Sequence, residues 1–329
     1  MIITKPSYFD AFRCLAGSCP DSCCQEWDVQ VDDASAARYL ALSGPLGDSL
    51  QQYLYLEDDE YYLRITDRRC PMWRQDGLCE IQAQLGEEAL CHTCREFPRL
   101  RHDYGDFVEL GLELSCPEAA RLILTQEPAE DLITEVPGGD PPEYDAQVMQ
   151  TLLRSRKEAL ALLDLPVPQA LTALLLFAHR VQEEIDGGDQ AHPDPAADLA
   201  LAQRVAVPAS ADTLLEFYQG LEILTPRWQA LLRSPDPDCR WSPMLLAMAR
   251  YGIQRYWLQA VSDFDIVCRV KMIVAACILM QELGGPMIQT AQLYSKEIEN
   301  SAENVDAILD AAYTHPAFTD VYLLSLLAK

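Results

Sequence analysis

No run of about eighteen apolar residues occurs anywhere in the chain, so no segment reads as a membrane span. The start, Met1-Ile2-Ile3-Thr4-Lys5-Pro6, has no basic stretch followed by an apolar one, which argues against a secretory leader. Positive charge is scarce: 25 Lys and Arg stand against 51 Asp and Glu, for a net charge of −26. A surface that negative repels a phosphate backbone, so nucleic acid is not expected as a partner, whereas a basic partner is compatible with it. Histidine is sparse as well, with five in all, and His102, His179, His192 and His315 show no pairing that suggests catalysis. No repeat period or low-complexity tract stands out. The expectation is a soluble, cytoplasmic protein with no membrane contact.

Cysteine is what the chain has in quantity. Nine of its 12 cysteines fall between Cys14 and Cys116, as Cys14, Cys19, Cys23, Cys24, Cys70, Cys79, Cys91, Cys94 and Cys116. A chain of 329 residues, 49% hydrophobic, buries enough surface to hold a core without cross-links, so stability does not demand them. In a reducing compartment clustered cysteines are metal ligands or redox groups before they are disulfides. The other three, Cys239, Cys268 and Cys277, sit in apolar helical sequence and read as ordinary buried thiols.

The cysteines punctuate a loop-rich half. Trp27 to Asp32 and Tyr61 to Ile65 alternate like short strands, Asp33 to Leu40 reads as a capped helix ending near Gly44-Pro45, and a short helix is expected from about Ile81 to Leu90. Phe107 to Leu114 alternates as a third strand and delivers Cys116, after which Pro117 opens a helix. Pro128 to Pro142 is an acidic linker rich in Pro and Gly. Beyond it, helical periodicity predicts helices over 144–163, 168–185, 196–205, 211–222, 226–233, 242–260, 263–283, 286–299, 302–311 and 316–328. The fold class expected is mainly α. A cysteine-rich, metal-centred module with a few short strands occupies residues 1–125, a linker 126–142, and an all-α domain 143–329, with no Rossmann-type sheet.

Spacing narrows the chemistry. Only Cys91-His92-Thr93-Cys94 has the C-x2-C form of a zinc site. Cys19 to Cys23 supplies the first spacing of a radical S-adenosylmethionine motif, but Glu26 stands at its third position, and ferredoxin spacing is absent too. What remains is a site gathered from distant segments. Cys23 and Cys24, as neighbours, are expected to point apart. Nine thiols allow one cluster plus structural thiols, two four-sulfur sites, or a cluster beside a redox disulfide. His92 is a candidate ligand or a donor behind one. Arg95, Arg99 and Arg101 form a basic patch suited either to a cofactor carboxylate or to balancing thiolate charge.

Several of these blocks resemble the flagellin lysine-N-methylase family. They are Pro6-Ser7-Tyr8 with Phe12-Arg13-Cys14, the run Cys19 to Trp27, Cys70-Pro71, Leu78-Cys79-Glu80-Ile81, Leu85 to Glu88, Leu90 to Arg99 and Leu114 to Glu118. Tyr251 to Asp265 and Tyr294 to Glu299 look similar too, so the resemblance runs over nearly the whole chain. It implies methyl transfer from S-adenosylmethionine to lysines of flagellin by an enzyme with a 4Fe-4S cluster. No Gly-rich strand-to-helix loop of the usual methyltransferase kind is present, so an iron with an open position is the expected grip on the cofactor. A lysine must be neutral to accept the methyl group, and Glu109, Glu113, Glu118, Tyr8 and Tyr104 are candidate bases. A structural zinc adaptor and an iron–sulfur electron-transfer or iron-delivery protein are the alternatives.

Overall fold

The computed structural model describes residues 1–25, 27–127, 131–237 and 240–328. Glu26, Pro128 and Cys239, on which expectations above fall, lie outside them. Helices dominate. In the first half come β1 (Ile2–Lys5), β2 (Val29–Val31), α1 (Asp33–Ala41), α2 (Pro45–Tyr53), β3 (Leu54–Glu57), β4 (Glu60–Leu63), α3 (Glu80–Leu85), α4 (His92–Glu96), β5 (Arg99–Asp103), β6 (Phe107–Leu112), α5 (Pro117–Thr125) and β7 (Leu132–Glu135). Helices α6 (Ala146–Ala161), α7 (Val167–Ile185), α8 (Pro195–Val205), α9 (Asp212–Gln219), α10 (Pro226–Arg233), α11 (Met244–Tyr256), α12 (Val267–Leu283), α13 (Met287–Tyr294), α14 (Ala302–Thr314) and α15 (Asp320–Leu327) follow.

The strands form two small sheets. One is four-stranded in the order β5-β6-β1-β7, with β1 parallel to β6 and antiparallel to β7; the other, β2-β4-β3, is antiparallel throughout. With one parallel pair, the larger sheet is not a doubly wound one. Strand β7 falls in the acidic stretch from Pro128 to Pro142, and β1 and β5 arise where no alternation marks them. Pro45 begins a helix instead of closing one, because proline suits a first helical position and Gly44 makes the turn before it at φ 89°.

Apolar burial falls into two clusters. The smaller is built on Val29, Val31, Tyr39, Leu50, Leu63, Cys70, Met72, Ile81 and Cys91. The larger runs from Phe12 and Cys116 through nearly every later helix and holds the fully buried Trp228 and Trp257. Helix α12 lies at its centre, since its sequence is apolar on all sides and it packs against α7, α11 and α14. No helix among the described residues is long and apolar enough to cross a membrane.

One carboxylate ties the smaller unit together. Asp32 caps α1 by accepting from the Ser35 backbone at 2.9 Å, and it also accepts from the His92 backbone at 2.8 Å. The Tyr39 hydroxyl donates to the Ala89 carbonyl at 2.8 Å, which fixes the segment entering Cys91.

Candidate metal centre

Six thiols line one cavity, Cys23, Cys24, Cys70, Cys79, Cys91 and Cys94, and its wall is completed by Trp27, Tyr39, Met72, Ile81 and Phe97 among others. Short backbone hydrogen bonds hold the segments that bring them. Cys70 N donates to Cys24 O at 2.8 Å, Trp73 N to Cys70 O at 3.0 Å, and Glu80 N to Met72 O at 2.8 Å. Several sulfurs rest on backbone N–H groups: Cys70 on Met72, Cys79 on Ile81 and Gln82, and Cys91 on Cys94. Such donors favour the thiolate, the form that binds a metal.

Two thiol pairs are in direct contact. Cys23 donates to Cys24, which brings Cys24 down to about 7, and Cys94 donates to Cys91 with the same result, about 7. Burial pushes Cys70 up to about 12 and raises Cys79 as well. Cys23 and Cys24 therefore do not point apart. They lie in a bend, where neighbouring side chains do not alternate as they would along a strand.

Cys14, Cys19 and Cys116 are not among the residues that line the cavity, and Cys116 belongs to the larger core. Cys116 packs in that core with Phe12 and precedes α5, where its sulfur accepts from the backbone of Glu118 and Ala119; burial nonetheless raises it to about 11. The Ala16 backbone donates to Cys14 Sγ at 3.4 Å, and the Cys19 thiol donates to Asp21 O at 3.3 Å. Asp21 is itself clasped: Lys296 Nζ lies 3.0 Å from its Oδ1 and Gln292 Nε2 2.9 Å from its Oδ2. The same Gln292 nitrogen donates to Ser115 O at 2.7 Å, which draws the Cys19–Cys23 loop against the residue beside Cys116.

Next to this clasp is a buried polar network that the spacing of residues does not announce. Tyr251 and Tyr256 donate to the two oxygens of Glu299 at 2.8 and 2.7 Å, and Ser295 also donates to it. Arg255 reaches Glu299 at 3.4 Å and Glu113 at 3.8 Å. Burial opposes the Arg255 charge, but the phenols and carboxylates around it outweigh that and hold the guanidinium firmly protonated. Burial also raises Glu113, Tyr251 and Tyr256. Glu299 closes a single π-turn, Ser295–Glu299, that continues α13, an irregularity often found at functional sites. For Tyr251, Arg255, Tyr256, Ser295 and Glu299 the sequence signal was the likeness in Tyr251 to Asp265 and Tyr294 to Glu299, and Glu113 was a candidate base by residue type.

The other candidates are dispersed. Glu109 forms a two-point pair with Arg156 at 2.7 and 2.5 Å, and Glu118 pairs with Arg121 at 2.9 and 2.7 Å. Tyr8 and Tyr104 are raised by burial. Arg95 lies beside Glu96 and opens onto a surface cleft with Asp32, Arg38 and His92, Arg99 stacks over Phe12 at 5.4 Å, and Arg101 pairs with Asp103 at 2.7 Å. Cys268 and Cys277 are buried on α12, away from the other thiols. All described cysteines are free. As oriented here, no three His, Cys, Asp or Glu side chains among the described residues are arranged to hold a metal ion. The donor chemistry nonetheless fits one: sulfurs from distant segments converge, and they meet backbone N–H groups and one another.

No protein-family model matches this chain, and no solved structure does. It is 32% identical over 134 residues to the flagellar biosynthetic protein FliU of Salmonella muenchen, a match covering 39% of this chain and 79% of that protein. It is likewise 32% identical over 134 residues to the lysine-N-methylases of Salmonella typhimurium and Salmonella choleraesuis, covering 33% of each. The match thus spans a third of those two relatives, and it is narrower than the near full-length resemblance read from the motifs.

Proposed function

The chain belongs to the flagellin lysine-N-methylase family, and on that premise we propose that it is a protein lysine N-methyltransferase acting on flagellin, with S-adenosylmethionine as methyl donor and an iron–sulfur cluster on its N-terminal thiols. The observation that carries the reading is the gathering of six of these cysteines, Cys23, Cys24, Cys70, Cys79, Cys91 and Cys94, around one cavity, with the loop that carries Cys23 clasped beside a buried carboxylate and tyrosine network. When bound, the cluster supplies an iron able to take the amino and carboxylate groups of the methyl donor.

The chain's own residues have two tasks. The first is to neutralise the acceptor lysine, whose amine has a pKa near about 10.4 in water. Glu113, with its carboxyl raised by burial and Arg255 opposite, is the carboxylate suited to take that proton. The amine lone pair then attacks the methyl carbon, the sulfur–carbon bond breaks, and the donor leaves as a neutral thioether. The second task is positioning. Lys296 and Gln292 hold Asp21, and through it the loop of Cys19 and Cys23, against the helices that carry the network.

The test is transfer of labelled methyl groups to purified flagellin by protein isolated without oxygen, with iron and sulfide measured on the same sample. Brown, iron-loaded protein is expected to methylate lysine, and cluster-free protein is not. A colourless, zinc-replete protein that methylates equally well would overturn the iron reading and leave the thiols a structural zinc site. Iron-loaded protein inert toward every lysine offered would overturn the methyltransferase reading.

A further inference from the structure

We infer that the nine N-terminal thiols serve two metal centres and not one: an inner centre on Cys24, Cys70, Cys79 and Cys91, with Cys94 beside it, and an outer centre on Cys14, Cys19, Cys23 and Cys116. The inference rests on the proposal that these thiols ligate metal, but not on methyl transfer.

The two sets are held by different parts of the molecule. Cys70 and Cys91 are buried in the smaller apolar cluster, and Cys24 and Cys79 pack against it. Cys116 is buried in the larger one, with Phe12 two residues from Cys14. Gln292 bridges Asp21 to Ser115 and so joins the Cys19–Cys23 loop to the Cys116 end of α5. The inner cysteines have ties of their own. Their segments are tied to each other by the Cys70 to Cys24 backbone bond and by the pairing of Trp73 with Cys79.

The sets adjoin where Cys23 reaches the cavity of the inner thiols and where Gly17 packs on the turn before Cys79. Cys23 lies near Cys14 and Cys116 as well as near Cys24 and Cys94, whereas the thiols nearest Cys70 and Cys79 are Cys24 and Cys91. A tetrahedral zinc and a four-iron cube each take four sulfurs at most. A single centre would leave five of the nine thiols without a metal.

The surroundings give the two centres different work. The inner thiols are walled by Tyr39, Met72 and Ile81, as suits a closed, structural site. The outer set includes the exposed Cys14 and adjoins the seam where Asp21 meets α13, so it is the less enclosed of the two.

The experiment uses the full chain, isolated and reconstituted without oxygen, with iron, zinc and sulfide counted per chain and the iron followed by electron paramagnetic resonance. Two centres' worth of metal are expected. The double change Cys14→Ser with Cys19→Ser, on an exposed loop, is expected to remove about one half of it and leave the second centre's signal; Cys70→Ser with Cys79→Ser is expected to do the reverse. One centre's worth of metal in the unaltered chain, or loss of all metal in the Cys14 and Cys19 variant while its circular dichroism is unchanged, overturns the inference. The outcomes also separate it from the functional reading: one centre with full lysine methylation sinks only the second centre, and two centres without methylation sink only the methyltransferase.

Discussion

Glu299 shows how much a single side chain organises. Its two oxygens take both tyrosine hydroxyls and face Arg255, all in the protein interior. Removing it strands two phenols out of water and leaves Arg255 with the more distant Glu113, and breaking such a buried pair costs about 3–5 kcal/mol. Glu299→Ala is therefore expected to lower stability by that order in urea unfolding, whereas Glu299→Gln, which keeps one acceptor oxygen in place, is expected to cost markedly less. No loss in Glu299→Ala would mean that the network holds nothing in place, and equal losses in both variants would place its contribution in the Glu299 charge. Asp21 is the corresponding residue for the thiol loop, but Lys296 at 3.0 Å and Gln292 at 2.9 Å leave it partly open to water, so its part is orientation more than stability.

At the scale of elements, the loop that carries Cys14 and Cys19 leans on the turn that leads to Cys79. The contact is backbone on backbone. A Cβ added to Gly17 would lie 2.8 Å from the Asp76 carbonyl oxygen, and one added to Gly77, already at φ +80°, would lie 2.9 Å from the Gly17 Cα. Neither neighbour is a flexible side chain that can turn away, so the pair of glycines sets how closely the two loops approach. Gly17→Ala is expected to cost about 1–3 kcal/mol, as overpacking does, and to speed the loss of metal to a chelator. An unchanged rate of loss would mean that the two loops do not need each other to hold metal. Helix α5 makes the complementary join, with Cys116 before its first turn, Pro117 at its first position and Leu122 and Leu124 in the larger core.

Across the whole molecule, two apolar clusters of unequal size differ in what holds them. The larger contains fully buried tryptophans and most of the helices. The smaller is built on a three-stranded sheet and short helices, and buried cysteines are part of its packing. Metal binding there would also be folding energy. Chelation is expected to raise amide hydrogen exchange in β2, β4 and α3 and to leave α7 and α12 protected. Equal loosening of both regions would show that the thiols support the entire chain. The acidic excess, −26 overall, acts at this scale too, as a negative field over the whole surface.

The chain by itself determined what depends on near neighbours. Alternation marked Val29–Val31 and Phe107–Leu112, an Asp before an apolar period marked α1, Pro117 marked the start of α5, and long 3.6-residue periods marked the helices from α6 onward. It also displayed the thiols, because composition and order are visible without a fold. The tertiary structure decided the rest, for a physical reason: those features depend on partners far along the chain. Strands β1 and β7 exist because Ile2 faces Glu135, and nothing local to either residue records the other. Cys23 and Cys24 touch because a bend turns both sulfurs inward. Glu299 became a hub because Tyr251, Arg255, Tyr256 and Glu113 arrive from two helices away and from the end of a sheet, and burial makes their pairing compulsory.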